Sequence, residues 1–198
     1  MNASRTLPDV GADVPRTGGP FSRWLGRTGL RVMGWRVDGP LPDVPRCVVV
    51  VAPHTSNWDF VYGLATKLAL GLKVDWLGKD SLFRFPFGGV LRRLGGIPVA
   101  RHDPGDTVGQ VAEMMRARRQ VWLGLSPEGT RRKVERWKSG FHRIAIGAGV
   151  PIFPVALDYR GRATRLLPLY APAADYATAL AHLQGLFSRE MALKPGQY

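Results

Sequence analysis

An unbroken apolar run, Val48-Val-Val-Val51, ends in Ala-Pro-His, and its β-branched residues predict a strand buried on both faces. Pro53 cannot donate to a ladder, so pairing is expected to stop there and His54 to leave the sheet at the strand's carboxyl end. Thr55, Ser56 and Asn57 are good N-caps, and Phe60, Leu64, Leu68 and Leu72 recur every fourth residue behind them, which predicts a helix opening near Ser56 or Asn57 and running to Leu72. The alternation continues along the chain. Residues 73–78 read as a strand, and 96–101 as a short one ending in arginine. Residues 106–119 read as a helix with Val108, Val111, Met114 and Met115 inward, and 120–125 and 152–157 as further buried strands. Such a pattern implies an α/β sheet with parallel pairs, whose site lies beyond the carboxyl ends of its strands.

Those ends carry chemistry. His54 is joined there by Arg101, closing Gly-Ile-Pro-Val-Ala-Arg, by Glu128 to Arg131, closing the 121–125 run, and by Pro154, expected to end the last strand. Asp59 falls in the first helical turn after His54. Along one continuous helix the two side chains would point about 140° apart, whereas a strand-to-helix corner can fold one onto the other. A carboxylate there accepts the Nδ1 proton and fixes the tautomer that leaves Nε2 free to take a proton from a hydroxyl. The plainer alternative is that Asp59 only complements the helix dipole and His54 is a polar residue at a sheet edge.

Composition narrows the picture. With 198 residues and 45% hydrophobic content, one core and one domain are expected. The formal charge of +13, with arginine far more frequent than lysine, favours partners that offer phosphate or carboxylate to a guanidinium fork. Cys47 is the only cysteine, which excludes an intrachain disulfide and fits a reducing compartment, and no Cys/His cluster offers zinc-ligand spacing. Residues 1–20, rich in Pro and Gly, read as a mobile tail without the apolar core of a signal peptide. Residues 21–35 read as a basic amphipathic helix: Phe21, Trp24, Leu25, Val32 and Trp35 on one stripe, Arg23, Arg27 and Arg31 on another. Its apolar side could lie in a membrane interface or pack on the protein's own core. No apolar run reaches the roughly 18 residues that span a bilayer.

Four ordered blocks between residues 48 and 157 resemble the glycerophospholipid acyltransferase family, the group that includes lysophosphatidic acid acyltransferases. They are His54-Thr-Ser-Asn-Trp-Asp59, Gly95-Gly-Ile-Pro-Val-Ala-Arg101, Pro127-Glu-Gly-Thr-Arg131 and Val150-Pro-Ile-Phe-Pro-Val155, with Lys138-Ser-Gly140 matching a Lys-x-Gly element. The resemblance implies a single-domain α/β fold, a mixed, largely parallel sheet flanked by helices, occupying residues 21–198. It implies transfer of an acyl group from acyl carrier protein or coenzyme A, as co-substrate rather than cofactor, to the hydroxyl of a lysophospholipid or glycerophosphate-like acceptor, the alternative being a specialised lipid or metabolite alcohol without phosphate. His54 and Asp59 would be the base and its orienting acid. Arg101, Gly129, Thr130 and Arg131 would bind the acceptor, Glu128 would hold its hydroxyl or order the arginines, and Lys79 is a further phosphate candidate. A peripheral place on the cytoplasmic face of an anionic membrane, with neither metal nor nucleic acid as partner, is expected as well. The chain departs from the family pattern at Pro53, where Asn is usual, at Ser126, where an aromatic or aliphatic residue is usual, and in an N-terminal anchor reduced to residues 21–35.

Two other classes fit less well. Gly124-Leu-Ser126-Pro-Glu-Gly129 places its second glycine one position too late for a nucleophile elbow, and Pro127 lacks the N–H that the residue after such a serine gives to the oxyanion. The charge would suit a nucleic-acid-binding module, yet no ribonucleoprotein motif, zinc knuckle or recognition helix accompanies it.

Overall fold

The computed structural model describes residues 6–99 and 107–198. Its helices are α1 (Pro20–Val32), α2 (Trp58–Leu70), α3 (Gly88–Arg93), α4 (Thr107–Ala117), α5 (Gly140–Ala148) and α6 (Tyr176–Gln184). Its strands are β1 (Arg36–Asp38), β2 (Arg46–Ala52), β3 (Val74–Lys79), β4 (Gly96–Val99), β5 (Val121–Leu125), β6 (Ile152–Asp158) and β7 (Ala163–Leu166). They form one sheet in the order β1-β7-β6-β2-β5-β3-β4, parallel at each pairing except β6 with β7. The α/β, largely parallel architecture read from the alternation is therefore observed.

The valine run forms β2 at the centre, and its residues alternate between two cores as a strand's period of two requires. Val48 and Val50 face Met115, Phe141 and Ile144 of the α4–α5 layer, whereas Cys47 and Val49 face Leu30, Ala69 and Phe153 on the α1–α2 side. Full burial of each such aliphatic side chain is worth about 1.5–3 kcal/mol, so the strand that leads to His54 is firmly anchored on both faces of the sheet.

Three expectations need correction. Residues 6–19 are not a free tail: Val14 is 1% exposed, Thr17 donates its N–H to Gly71 and Lys73 donates its own to Pro15, so this stretch runs along the end of α2. Proline and glycine lowered its apparent order, but a single buried valine and these backbone bonds dock it. The basic helix ends at Val32, before Trp35. It packs on α2 through Gly26, where any Cβ would strike the backbone of Ala69, and through Leu30, leaving Phe21, Trp24, Leu25 and Val32 outward. Trp35 instead enters the core and donates its indole N–H to Thr164 Oγ1 at 3.0 Å.

The third correction concerns Pro154: it lies inside β6 opposite Val50, so the strand read over 152–157 stands and the strand end placed at Pro154 does not. Its carbonyl accepts the N–H of Leu167, one residue beyond β7, so the missing donor falls where the neighbouring strand has already stopped. β6 therefore continues to Asp158 and delivers Tyr159 to the rim.

Candidate active site

β2 stops at Ala52 and α2 opens at Trp58, so His54 and Asp59 stand on the two sides of a tight corner. Asn57 is the cap position of α2 but makes no side-chain cap bond; Ser56 Oγ accepts the Trp58 N–H instead. The corner brings His54 Nδ1 to 3.2 Å from Asp59 Oδ2. The same oxygen accepts the N–H groups of Thr55 and Ser56, each at 2.7 Å, and Oδ1 accepts the Tyr159 hydroxyl at 2.6 Å. Asp59 is buried, and donors on both of its oxygens satisfy the ionised form, which the opening of a helix also favours. Burial and the bond to Asp59 both push the Tyr159 hydroxyl well above the usual tyrosine range, so it remains a donor. Trp35 and Tyr62, stacked at 3.9 Å, each meet the Tyr159 ring edge-on and set its direction.

A second carboxylate grips the same corner from behind. Both Glu128 oxygens accept the backbone N–H of His54, at 3.0 and 3.1 Å, and the residue is only 2% exposed. Burial pushes its carboxyl up to about 7, against the lowering effect of the His54 N–H bond and the imidazole, with the Asp59 charge adding to the rise. Glu128 thus fixes the backbone under the histidine, a contact that the sequence reading of it, as holding the acceptor hydroxyl or ordering the arginines, had not included.

The turn after Glu128 needs Gly129, which adopts φ +65° and lies over the Lys138 side chain. Thr130 and Arg131 line an open cleft of about 660 Å³ together with Thr55–Trp58, Arg132, Lys194 and Gln197. His54 directly precedes that lining, with 27% of its side chain exposed. Lys79 is exposed at the end of β3 on the same rim and does not line the cleft. Arg101 lies outside the described residues.

Residues 192–198 were not expected here. The Lys194 N–H donates to Thr55 Oγ1 at 3.3 Å; with its amide turned to donate, Gln197 bonds the carbonyls of Arg131 at 2.8 Å and Thr55 at 3.0 Å. This segment ties the His54 corner to the Glu128–Arg131 turn and adds a cation to the cleft. No motif could have announced it. Tyr159 did leave a signal, as the first residue after an apolar strand.

Comparison with known proteins gives a consistent picture. Residues 41–158 match a family model described as Acyltransferase. The 1-acyl-sn-glycerol-3-phosphate acyltransferase of Escherichia coli K12 is 34% identical over 116 residues, 56% of this chain and 46% of that protein. That of Haemophilus influenzae is 30% identical over 152 residues, 71% of this chain and 61% of its own length. The chain thus spans about half to three fifths of the length of these curated relatives. The crystal structure of the 1-acyl-sn-glycerophosphate acyltransferase from Thermotoga maritima superposes with a TM-score of 0.63 at 19% identity, covering 84% of this chain and 75% of that one.

Proposed function

The chain belongs to the acyltransferase family, and from that premise we propose that it moves a fatty acyl group from an acyl thioester, on acyl carrier protein or coenzyme A, to the hydroxyl of a lysophospholipid or glycerophosphate-like acceptor. The observation that carries this reading is the His54–Asp59 pair, with the carboxylate satisfied on both oxygens and Nδ1 committed to it. His54 Nε2 takes the proton of the acceptor hydroxyl as its oxygen attacks the thioester carbonyl. The tetrahedral adduct collapses, the thiolate leaves, and the same nitrogen returns the proton to it, giving one ester and one free thiol. Asp59 stabilises the transient imidazolium, Tyr159 and Glu128 hold the pair in register, and no acyl-enzyme forms.

The cleft supplies the grip. Arg131, Arg132 and Lys194 converge on it with the Thr130 hydroxyl, a set that suits a phosphate, and the motif adds Arg101. Among the described residues no helix is long and apolar enough to cross a membrane. The outward Phe21, Trp24, Leu25 and Val32 of α1, beside Arg23, Arg27 and Arg31, support a peripheral place on an anionic lipid surface. The name that both curated relatives above carry, 1-acyl-sn-glycerol-3-phosphate acyltransferase, points to the same acceptor class.

Acceptor kinetics test the reading. Lysophosphatidic acid should be esterified, with product identified by mass, and a monoacylglycerol lacking only the phosphate should be used at least about tenfold less well, the worth of one charge-assisted contact. Arg131→Lys keeps the charge but loses the two-pronged geometry, so the acceptor KM should rise while the donor KM stays near its original value. Equal use of both acceptors, with Arg131→Lys silent, would remove phosphate recognition from the account and leave acyl transfer to another alcohol.

A further inference from the structure

Between β3 and β4 the chain builds a projection that neither the pair nor the cleft uses. A short 3₁₀ turn (Asp80–Phe83) leads into α3, and along this stretch Leu82, Phe85, Phe87 and Val90 point into solvent, Phe85 at 98% exposure. The base of the projection is rigid. Phe83 is buried, stacks on Trp76 at 5.6 Å and lies under the Arg92 guanidinium at 5.5 Å. Gly88 packs directly against the Phe83 carbonyl, where a Cβ has no room, and its N–H bonds the Arg84 carbonyl at 3.0 Å. The apolar side chains are therefore held outward by a built platform, and cannot fold back without breaking it.

Charge identifies what would cover them. Lys79, Arg84, Arg92 and Arg93 are exposed around the projection, and within residues 79–93 the only carboxylate is Asp80. Aromatic and aliphatic tips ringed by arginines match the boundary of an anionic bilayer, where tips enter the acyl region and guanidinium groups meet lipid phosphates. An acidic protein would satisfy the arginines but would also need a separate apolar pocket for each of four side chains spread over residues 82–90.

Position gives the contact a purpose. β3 runs parallel to β5, and β5 to β2, so the segment after Lys79 rises from the same edge of the sheet as His54 and the Glu128–Arg131 turn. The exposed face of α2 continues into it, because Phe60 meets Trp76 at 5.1 Å and Trp76 meets Phe83. By contrast, Phe21 and Trp24 lie at the far end of α2, since α1 runs antiparallel to it, with Arg23 beside Gly71. We propose that residues 82–90 insert into an anionic lipid surface as a second membrane contact, distinct from α1, and hold the mouth of the cleft at the bilayer so that a lipid acceptor enters it without crossing water.

The proposal rests on the acyl-transfer reading for the acceptor's being a lipid, but its test does not. Cys47 is buried, so in Phe85→Cys an environment-sensitive thiol-reactive fluorophore labels position 85 alone. With phosphatidylglycerol vesicles its emission should rise and shift to the blue, more than with phosphatidylcholine and less at high salt. Phe85→Ser/Phe87→Ser should weaken vesicle partitioning by tenfold or more while leaving turnover of a water-soluble, short-chain lysophosphatidic acid unchanged. A silent label on protein that sediments with vesicles would overturn the proposal, leaving α1 as the contact. A label that responds to purified acyl carrier protein, or to protein concentration without lipid, but not to vesicles, would overturn it in favour of a protein partner. If the label reports insertion and neither acceptor is ever acylated, docking stands and the functional reading fails.

Discussion

His54→Ala is expected to lower kcat by about 10²–10⁴-fold or more, because it removes the group that accepts the acceptor's proton. The fold should survive. Glu128 holds the backbone N–H of residue 54, which alanine retains, and Asp59 keeps the Thr55 and Ser56 N–H groups and the Tyr159 hydroxyl. The imidazole is itself partly exposed, so its loss should cost no more than about 1 kcal/mol in a denaturant melt. Thioester-dependent ester formation followed by mass, beside that melt, separates a lost base from a lost fold. Turnover near the original rate in a folded His54→Ala protein would mean that another group takes the proton.

Asp59→Asn should be nearly as severe, by about 10²–10³-fold in kcat with both KM values little changed. The carboxylate has two tasks in this geometry. Its charge stabilises the imidazolium, and Oδ2 alone accepts three donors: the N–H groups of Thr55 and Ser56 and the Nδ1–H of His54. A neutral amide loses the charge, and if it turns its NH₂ toward those donors it breaks the corner as well. Tyr159→Phe leaves the charge in place and removes one donor from Oδ1, so its effect on kcat should be clearly smaller, about tenfold. If Asp59→Asn instead raised the acceptor KM with kcat intact, the carboxylate would belong to binding and not to the base.

The strands that set the frame were legible because an unbroken β-branched run has few alternatives, and His54 was legible as the residue after a proline that stops the ladder. The amphipathic helix was legible as a helix, but its direction was not: the pattern shows an apolar stripe, and only the close approach at Gly26 turns that stripe away from the core. Glu128 illustrates the limit on roles. A carboxylate in Pro-Glu-Gly-Thr-Arg reads as holding the acceptor hydroxyl or ordering nearby arginines, and its bond to the His54 N–H, 74 residues away in sequence, is not legible there. Tyr159 stands just beyond the apolar run 152–157, but nothing in the sequence ties it to Asp59, 100 residues earlier. Lys194 and Gln197 reach the cleft only through the path of the last segment over the rim, which periodicity does not encode.

The most direct measurement is a quenched time course on the unaltered protein with acyl thioester and lysophosphatidic acid, following free thiol, acylated acceptor and intact protein mass together. Direct transfer by His54 predicts one ester for each thiol released, both appearing only when acceptor is present, with the protein mass unchanged at every time. A protein that gains the mass of the acyl group and passes it on, or thiol released without ester, would contradict it.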